Sequence, residues 1–190
     1  MKKYYIFFDN DGVGAHWFTW GNDTFLKEKV DYVGDLDIYK WNKIDKLMRR
    51  LSNECVVKAI CISTWKGCFY DEENRNKFSE RAGFQKIEIM PWVMEGRFSF
   101  REPGQRIELI KEALEDGNPD DYIILDDEFG QEFENQGFHN IIRTDTYDGF
   151  TYKNYLEMEQ IVNNWDLSEE YKKAKKDYDE TLDLLVHCIC

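Results

Sequence analysis

No run of ~18 uninterrupted apolar residues occurs anywhere in the chain, which excludes a helix of membrane-spanning length. The opening Met1-Lys2-Lys3 leads into an apolar run of about five residues, too short for the core of a secretory leader. Positive charge is scarce: 25 Lys and Arg stand against 38 Asp and Glu, a formal net charge of -13. The charge therefore works against a long electrostatic footprint on nucleic acid, although a single phosphorylated end can still be held locally with help from a metal. The five cysteines (Cys55, Cys61, Cys68, Cys188, Cys190) form no Cys-x-x-Cys pair and no zinc spacing, so reduced thiols are expected. His187-Cys188-Ile189-Cys190 could bind a metal or accept a lipid, but it reads first as a frayed tail. Internal repeats and low-complexity tracts are absent. Together these absences predict a cytoplasmic protein with no membrane partner.

What the chain does have is aromatic mass. Thirteen Phe, 11 Tyr and 6 Trp in 190 residues supply a packed interior despite a mean hydropathy of -0.68, and the length suits one domain. The organising stretch is Tyr4-Tyr5-Ile6-Phe7-Phe8-Asp9-Asn10-Asp11-Gly12, five apolar residues that end in two carboxylates and a glycine. A buried strand of such residues carries Asp9 and Asp11 to its carboxyl end, where open α/β sheets bind ligands. Gly12 permits the turn that brings the second acid over the first.

Four more apolar stretches punctuated by helical periods extend the pattern. Ile38, Trp41, Ile44, Leu47, Met48 and Leu51 recur at three and four, with Asp37 as N-cap. Cys55 to Ile62 reads as a second buried strand, ending at Ser63-Thr64-Trp65-Lys66. Asp71 to Ala82 is helix-favouring and closes at Gly83. Lys86 to Met90 is a third strand, and Pro103 to Leu114 a helix with proline in its first turn. Tyr122 to Leu125 is a fourth strand running into Asp126 and Asp127. His139 to Arg143 is a fifth strand, with no chemical partner evident for His139, and Phe150 to Trp165 is a helix. A last amphipathic helix spans Leu167 to Leu185, with Tyr171, Ala174, Tyr178, Leu182 and Leu185 on one stripe, expected to pack across the domain or against a partner. The aromatic segment 14–36 reads as a small flap or minimal cap. Strands alternating with helices predict an α/β Rossmann-like three-layer sandwich with a mostly parallel five-stranded sheet. Residues 1–165 form the expected domain, and 166–190 an appended helix and tail.

Three strand ends, Asp-x-Asp, Ser-Thr and Asp-Asp, converge on one sheet edge. Magnesium takes oxygen ligands and keeps several waters, so Asp9, Asp11, Asp126 and Asp127 are its candidate ligands. A carboxylate kept ionised beside the metal can attack phosphorus, which makes Asp9 the candidate nucleophile. Asp11 is placed to protonate the leaving oxygen and later to accept a proton from water. Ser63, Thr64, Lys66 and Arg106 are the candidates for holding phosphoryl oxygens. For Asp126-Asp127 the alternative is helix capping, for Ser63 likewise, and for Arg106 a solvated helix face.

Asp9-Asn10-Asp11-Gly12-Val13, Ser63-Thr64-Trp65-Lys66 and Ile123-Ile124-Leu125-Asp126-Asp127-Glu128 resemble motifs of the haloacid dehalogenase (HAD) superfamily. With Arg106 ahead of Ile110, and Thr144-Asp145 before Gly149-Phe150-Thr151, the wording is similar to the HAD domain of Swiss Army Knife RNA repair proteins. The resemblance covers roughly residues 3 to 162. It implies the Rossmann-like sheet, Mg²⁺ dependence and phosphatase chemistry through an aspartyl-phosphate. Asn10 and Val13-Gly14 depart from the family wording, and the third-motif cation stays open among Lys66, Arg97, Arg101 and Arg106. The expected substrate is a nucleotide or other small phosphoester; the alternatives are a phosphorylated nucleic-acid end, or a non-catalytic HAD-like binding protein that self-associates through its last helix.

Overall fold

The computed structural model describes residues 1–9, 13, 38–63, 69, 71–91 and 103–189. The expected flap at 14–36 lies outside them, as do the second acid Asp11 and the two candidates Thr64 and Lys66.

The apolar opening stretch forms the central strand. β1 (Lys3–Phe8) lies between β2 (Val56–Cys61) and β4 (Asp121–Asp126), with β3 (Ile87–Ile89) and β5 (Ile141–Arg143) at the edges. Every pairing is parallel. A parallel sheet covered on both faces needs strands that are apolar at successive positions, and Tyr-Tyr-Ile-Phe-Phe meets that need. Tyr4, Ile6 and Phe8 face one core; Tyr5 and Phe7 face the other.

The first core is closed by α1 (Ile38–Met48), α2 (Glu72–Ala82) and α5 (Tyr152–Val162) through Trp41, Ile44, Phe78 and Met158. The second is closed by α3 (Pro103–Gly117) and the short α4 (Gly130–Asn135), through Leu109, Ile110 and Phe133. Each such fully buried side chain contributes about 1.5–3 kcal/mol. The result is the three-layer sandwich that the sequence predicts, with an all-parallel sheet.

Local signals set the helix ends. Asp71 accepts the Glu73 amide at 2.8 Å as N-cap of α2, and Gly83 ends that helix with φ 66. A Cβ at Gly83 would sit 2.9 Å from Asn42 Nδ2, so both backbone and space favour glycine there. Thr151 and Asn154 form a reciprocal capping box at α5. Asp45 of α1, fully buried, accepts the amides of Gln85, Lys86 and Ile87 at 3.1, 2.9 and 3.1 Å and the Arg49 guanidinium at 2.8 Å. One carboxylate thereby fixes the entry of β3 against α1.

Three features differ from the sequence expectation. α4 was not predicted, because its six residues are shorter than two helical turns and carry no full apolar period. His139 does have partners: its Nε2 lies 3.0 Å from Asp121 Oδ1 and its Nδ1 3.1 Å from the Tyr122 hydroxyl. The same Asp121 accepts Trp165 Nε1 at 2.8 Å, and Trp165 stacks on Tyr4 at 4.2 Å, latching the segment after α5 to the sheet. Finally, over its described side chains, up to Leu182, α6 (Glu169–Ile189) does not pack across the domain. Tyr171 is half-buried under Arg50, whereas every side chain from Lys172 to Leu182 is exposed.

Candidate active site

β1 and β4 are neighbours in parallel register, Phe8 opposite Leu125, so the residues that follow them leave the sheet side by side. The Asp9 amide still donates to Leu125 O at 2.9 Å, which extends the ladder by one residue and fixes the carboxylate at the strand's carboxyl end. Asp9 is 2% exposed and Asp126 0%. Buried carboxylates are costly unless paired.

The partner comes from α3. Arg106, itself buried, directs Nη1 at Asp9 Oδ2 and at Asp126 Oδ2, the second at 2.6 Å. Burial works against the charge on Arg106, but the carboxylates of Asp9 and Asp126 outweigh it and hold its pKa above the ordinary arginine value. The guanidinium also lies 4.6 Å from the centroid of the Phe129 ring, a cation–π contact in a dry setting. Arg106 is therefore not on a solvated helix face. Among the described residues it is the cation on the acids, while Lys66, Arg97 and Arg101 lie outside them.

The other oxygen of Asp126 accepts the amides of Glu128 at 2.9 Å and Phe129 at 2.6 Å, so Asp126 does turn the chain into α4. These are turn contacts ahead of the helix rather than a cap, since Phe129 holds the N-cap position of α4 and no side chain caps it. Asp127, less buried, accepts the Thr146 hydroxyl at 2.6 Å from the loop after β5. Burial raises the Asp127 pKa, with the Asp126 charge adding to it and the Thr146 hydrogen bond and Arg106 opposing. Carboxylate oxygens of Asp9, Asp126 and Asp127 all lie within 4.8 Å of one another. Three hard oxygen donors at that spacing, joined among the described residues by the Arg106 guanidinium, could hold a divalent cation such as Mg²⁺.

Ser63 follows β2 at the same sheet edge, where the Ile62 amide continues the ladder to Phe8 O at 2.9 Å. It is fully buried, with Oγ 3.4 Å from Cys61 Sγ. Thus Asp9, Ser63, Arg106, Asp126 and Asp127 are placed along one edge by β1, β2, α3 and β4, and Asp11, Thr64 and Lys66 lie outside the described residues. Two participants escaped the sequence reading. Phe129, three residues beyond Asp126, has a periodicity signal only for packing. Thr146 touches Asp127 across 19 residues and has no local signal.

A family profile described as the HAD domain in Swiss Army Knife RNA repair proteins matches residues 5–155, from β1 into α5. The chain belongs to this family. No curated protein and no solved structure matches it. As a HAD-superfamily domain it stands in a phosphatase family, and the matched span takes in every described residue of the acid cluster. α6 falls wholly beyond the HAD match. Among the described residues no helix is long and apolar enough to cross a membrane.

Proposed function

We propose that the chain is a Mg²⁺-dependent phosphomonoester hydrolase that works through an aspartyl-phosphate. The observation that carries this reading is the convergence of Asp9, Asp126 and Asp127 within 4.8 Å at the carboxyl end of the central strands, with Arg106 bridging Asp9 and Asp126.

Asp9, Asp126 and Asp127 would hold the metal, joined by Asp11 through its main-chain carbonyl so that the Asp11 carboxyl serves proton transfer. When bound, Mg²⁺ supplies positive charge that lets an anionic phosphoester approach a carboxylate. Asp9 is the nucleophile: one of its oxygens is fixed by Arg106, which restricts rotation of the carboxylate and offsets its repulsion of the substrate. The Asp9 oxygen forms the bond to phosphorus as the ester oxygen leaves, and Asp11 donates the proton that the leaving oxygen takes up. Asp11, now a carboxylate, accepts a proton from the water that cleaves the acyl phosphate. This restores Asp9 and releases inorganic phosphate. Ser63, Thr64 and Lys66 hold the phosphoryl oxygens, with Arg106 contributing from the floor of the site.

The substrate reading rests on two opposed observations. The family description names RNA repair, which favours a phosphorylated RNA end. The net charge of -13 disfavours a long bound polyanion and favours a nucleotide or small phosphoester. Both are met if recognition is confined to the terminal phosphomonoester and the nucleotide carrying it. We assign residues 1–165 to this catalytic unit, 166–190 to an appended segment, and a cytoplasmic setting to the whole.

The test is Mg²⁺-dependent phosphate release from an aryl phosphate, from mononucleotides and from 3′- or 5′-phosphorylated oligonucleotides at two salt concentrations. Turnover that vanishes in Asp9→Asn supports the reading. An oligonucleotide preference that collapses with salt selects the nucleic-acid end. Metal-loaded protein that turns over no phosphoester would instead make this a HAD-like binding protein.

A further inference from the structure

α6 leaves the domain at Ser168, whose hydroxyl accepts the Tyr171 amide at 3.2 Å, and is anchored there by the Leu51–Leu167 bridge and by Arg50 over the Tyr171 ring. Beyond Tyr171 it projects. Tyr171, Ala174, Tyr178 and Leu182 recur at three and four and share one face of the helix, with Tyr178 64% exposed and Leu182 41%. An amphipathic helix gains little stability in water without a surface to cover this stripe.

The charges on α6 say what that surface is. After Glu169 and Glu170, which open the helix, Lys172, Lys173, Lys175 and Lys176 fill the rest of one half, and Asp177, Asp179 and Glu180 open the other; within one helix Lys172 pairs with Glu169 and Lys176 with Glu180. Two copies laid parallel would align like charge with like; two laid antiparallel set the lysine half of each along the acidic half of the other. We propose that α6 is a self-association surface, and that two copies of this chain pair through it as an antiparallel helix dimer about a two-fold axis near residues 177 and 178.

A two-fold of this kind sets each border of the stripe against the same border of the partner helix. Lys175 and Asp179 lie one turn apart on one border. In the pair, each Lys175 meets Asp179 of the partner subunit, twice by symmetry. The two Tyr178 rings meet beside the axis, and the small Ala174 leaves room for the larger residues opposite, the alternation that close helix packing needs. Asp177, on the other border near the axis, repels its own copy. That repulsion and the small area of a single helix pair keep the association in the weak, salt-sensitive class. Because the stripe stands apart from the acid cluster, this inference does not depend on the catalytic reading.

The experiment is sedimentation velocity on the full chain over a range of concentrations at low and high salt, for the parent and for Tyr178→Lys, Lys175→Glu, Asp179→Lys and the Lys175→Glu/Asp179→Lys pair. These positions are exposed, so an unchanged thermal transition verifies that each variant keeps the folded domain. The parent is expected to show a monomer–dimer equilibrium that weakens with salt, and Tyr178→Lys to remain monomeric. Each single charge reversal should weaken the dimer about tenfold, and the double reversal should restore most of the loss. A parent that stays monomeric at every concentration overturns the proposal, including one whose lysine run instead binds an oligonucleotide. So does a dimer indifferent to Tyr178→Lys, or a double reversal no better than the singles.

Discussion

Arg106 and Asp9 are 97 residues apart in the chain, and the guanidinium of one grips a carboxylate oxygen of the other while holding Asp126 with the same nitrogen. α3 and β1 are tied together at the point where chemistry is proposed. The pairing couples stability to function, because the cation that orients Asp9 is also what makes two buried carboxylates tolerable.

Arg106→Met should therefore cost about 3–5 kcal/mol of stability in metal-free protein, the usual loss when one member of a buried ionic group is removed. Mg²⁺ should recover part of that loss by replacing some of the missing positive charge. Thermal unfolding with and without Mg²⁺ checks this, and an Arg106→Met protein as stable as the parent without metal would contradict it.

Phe129 supports the same cation from behind. Phe129→Leu removes the ring face at 4.6 Å while keeping an apolar side chain, and should cost about 2 kcal/mol. Its larger effect should be on turnover, since Arg106 would lose the surface that sets its direction. A kcat reduced more than KM is raised is the expected pattern; a change in stability alone would confine Phe129 to packing.

The Asp127 pKa is raised by burial and by the neighbouring Asp126 charge, so the folded metal-free protein binds a proton more tightly than the unfolded chain does. The stability from this group is full below its unfolded value and is lost as pH rises through the raised folded value. Asp127→Asn should accordingly stabilise metal-free protein at neutral pH, and the advantage should fade as the pH falls through the raised folded value and be gone below about pH 4. In Mg²⁺ the order should reverse, because the parent alone keeps the full set of carboxylates. Melting temperatures across pH, with metal and with chelator, decide the matter.

Asp45 makes a stability prediction far from the chemistry. Replacing it with alanine strips three backbone amides and Arg49 of their acceptor, and should cost about 3 kcal/mol. Amide exchange should rise first at Gln85, Lys86 and Ile87. Uniform exchange across the sheet, with no early loss there, would show that β3 is held by other means.

Much of this architecture is legible in the order of residues. The central strand could be read from Tyr4 to Phe8 because a strand buried on both faces must be apolar at consecutive positions. α1 could be read from its period, and α2 from its helix-favouring composition and from Gly83, whose role depends on atoms within a few residues. The acids at the ends of β1 and β4 were visible for the same reason: Asp9 follows directly on β1, and Asp126 closes β4.

Sequence alone thus determined which side chains arrive at the ends of the central strands, since hydrophobic period and capping are local properties of the chain. Tertiary structure alone decided which cation joins them, that Phe129 and Thr146 take part, and that α6 stands away from the domain rather than across it. Those outcomes depend on contacts between residues tens of positions apart and on how much surface the packed layers leave uncovered. Neither quantity is written in any short stretch of sequence.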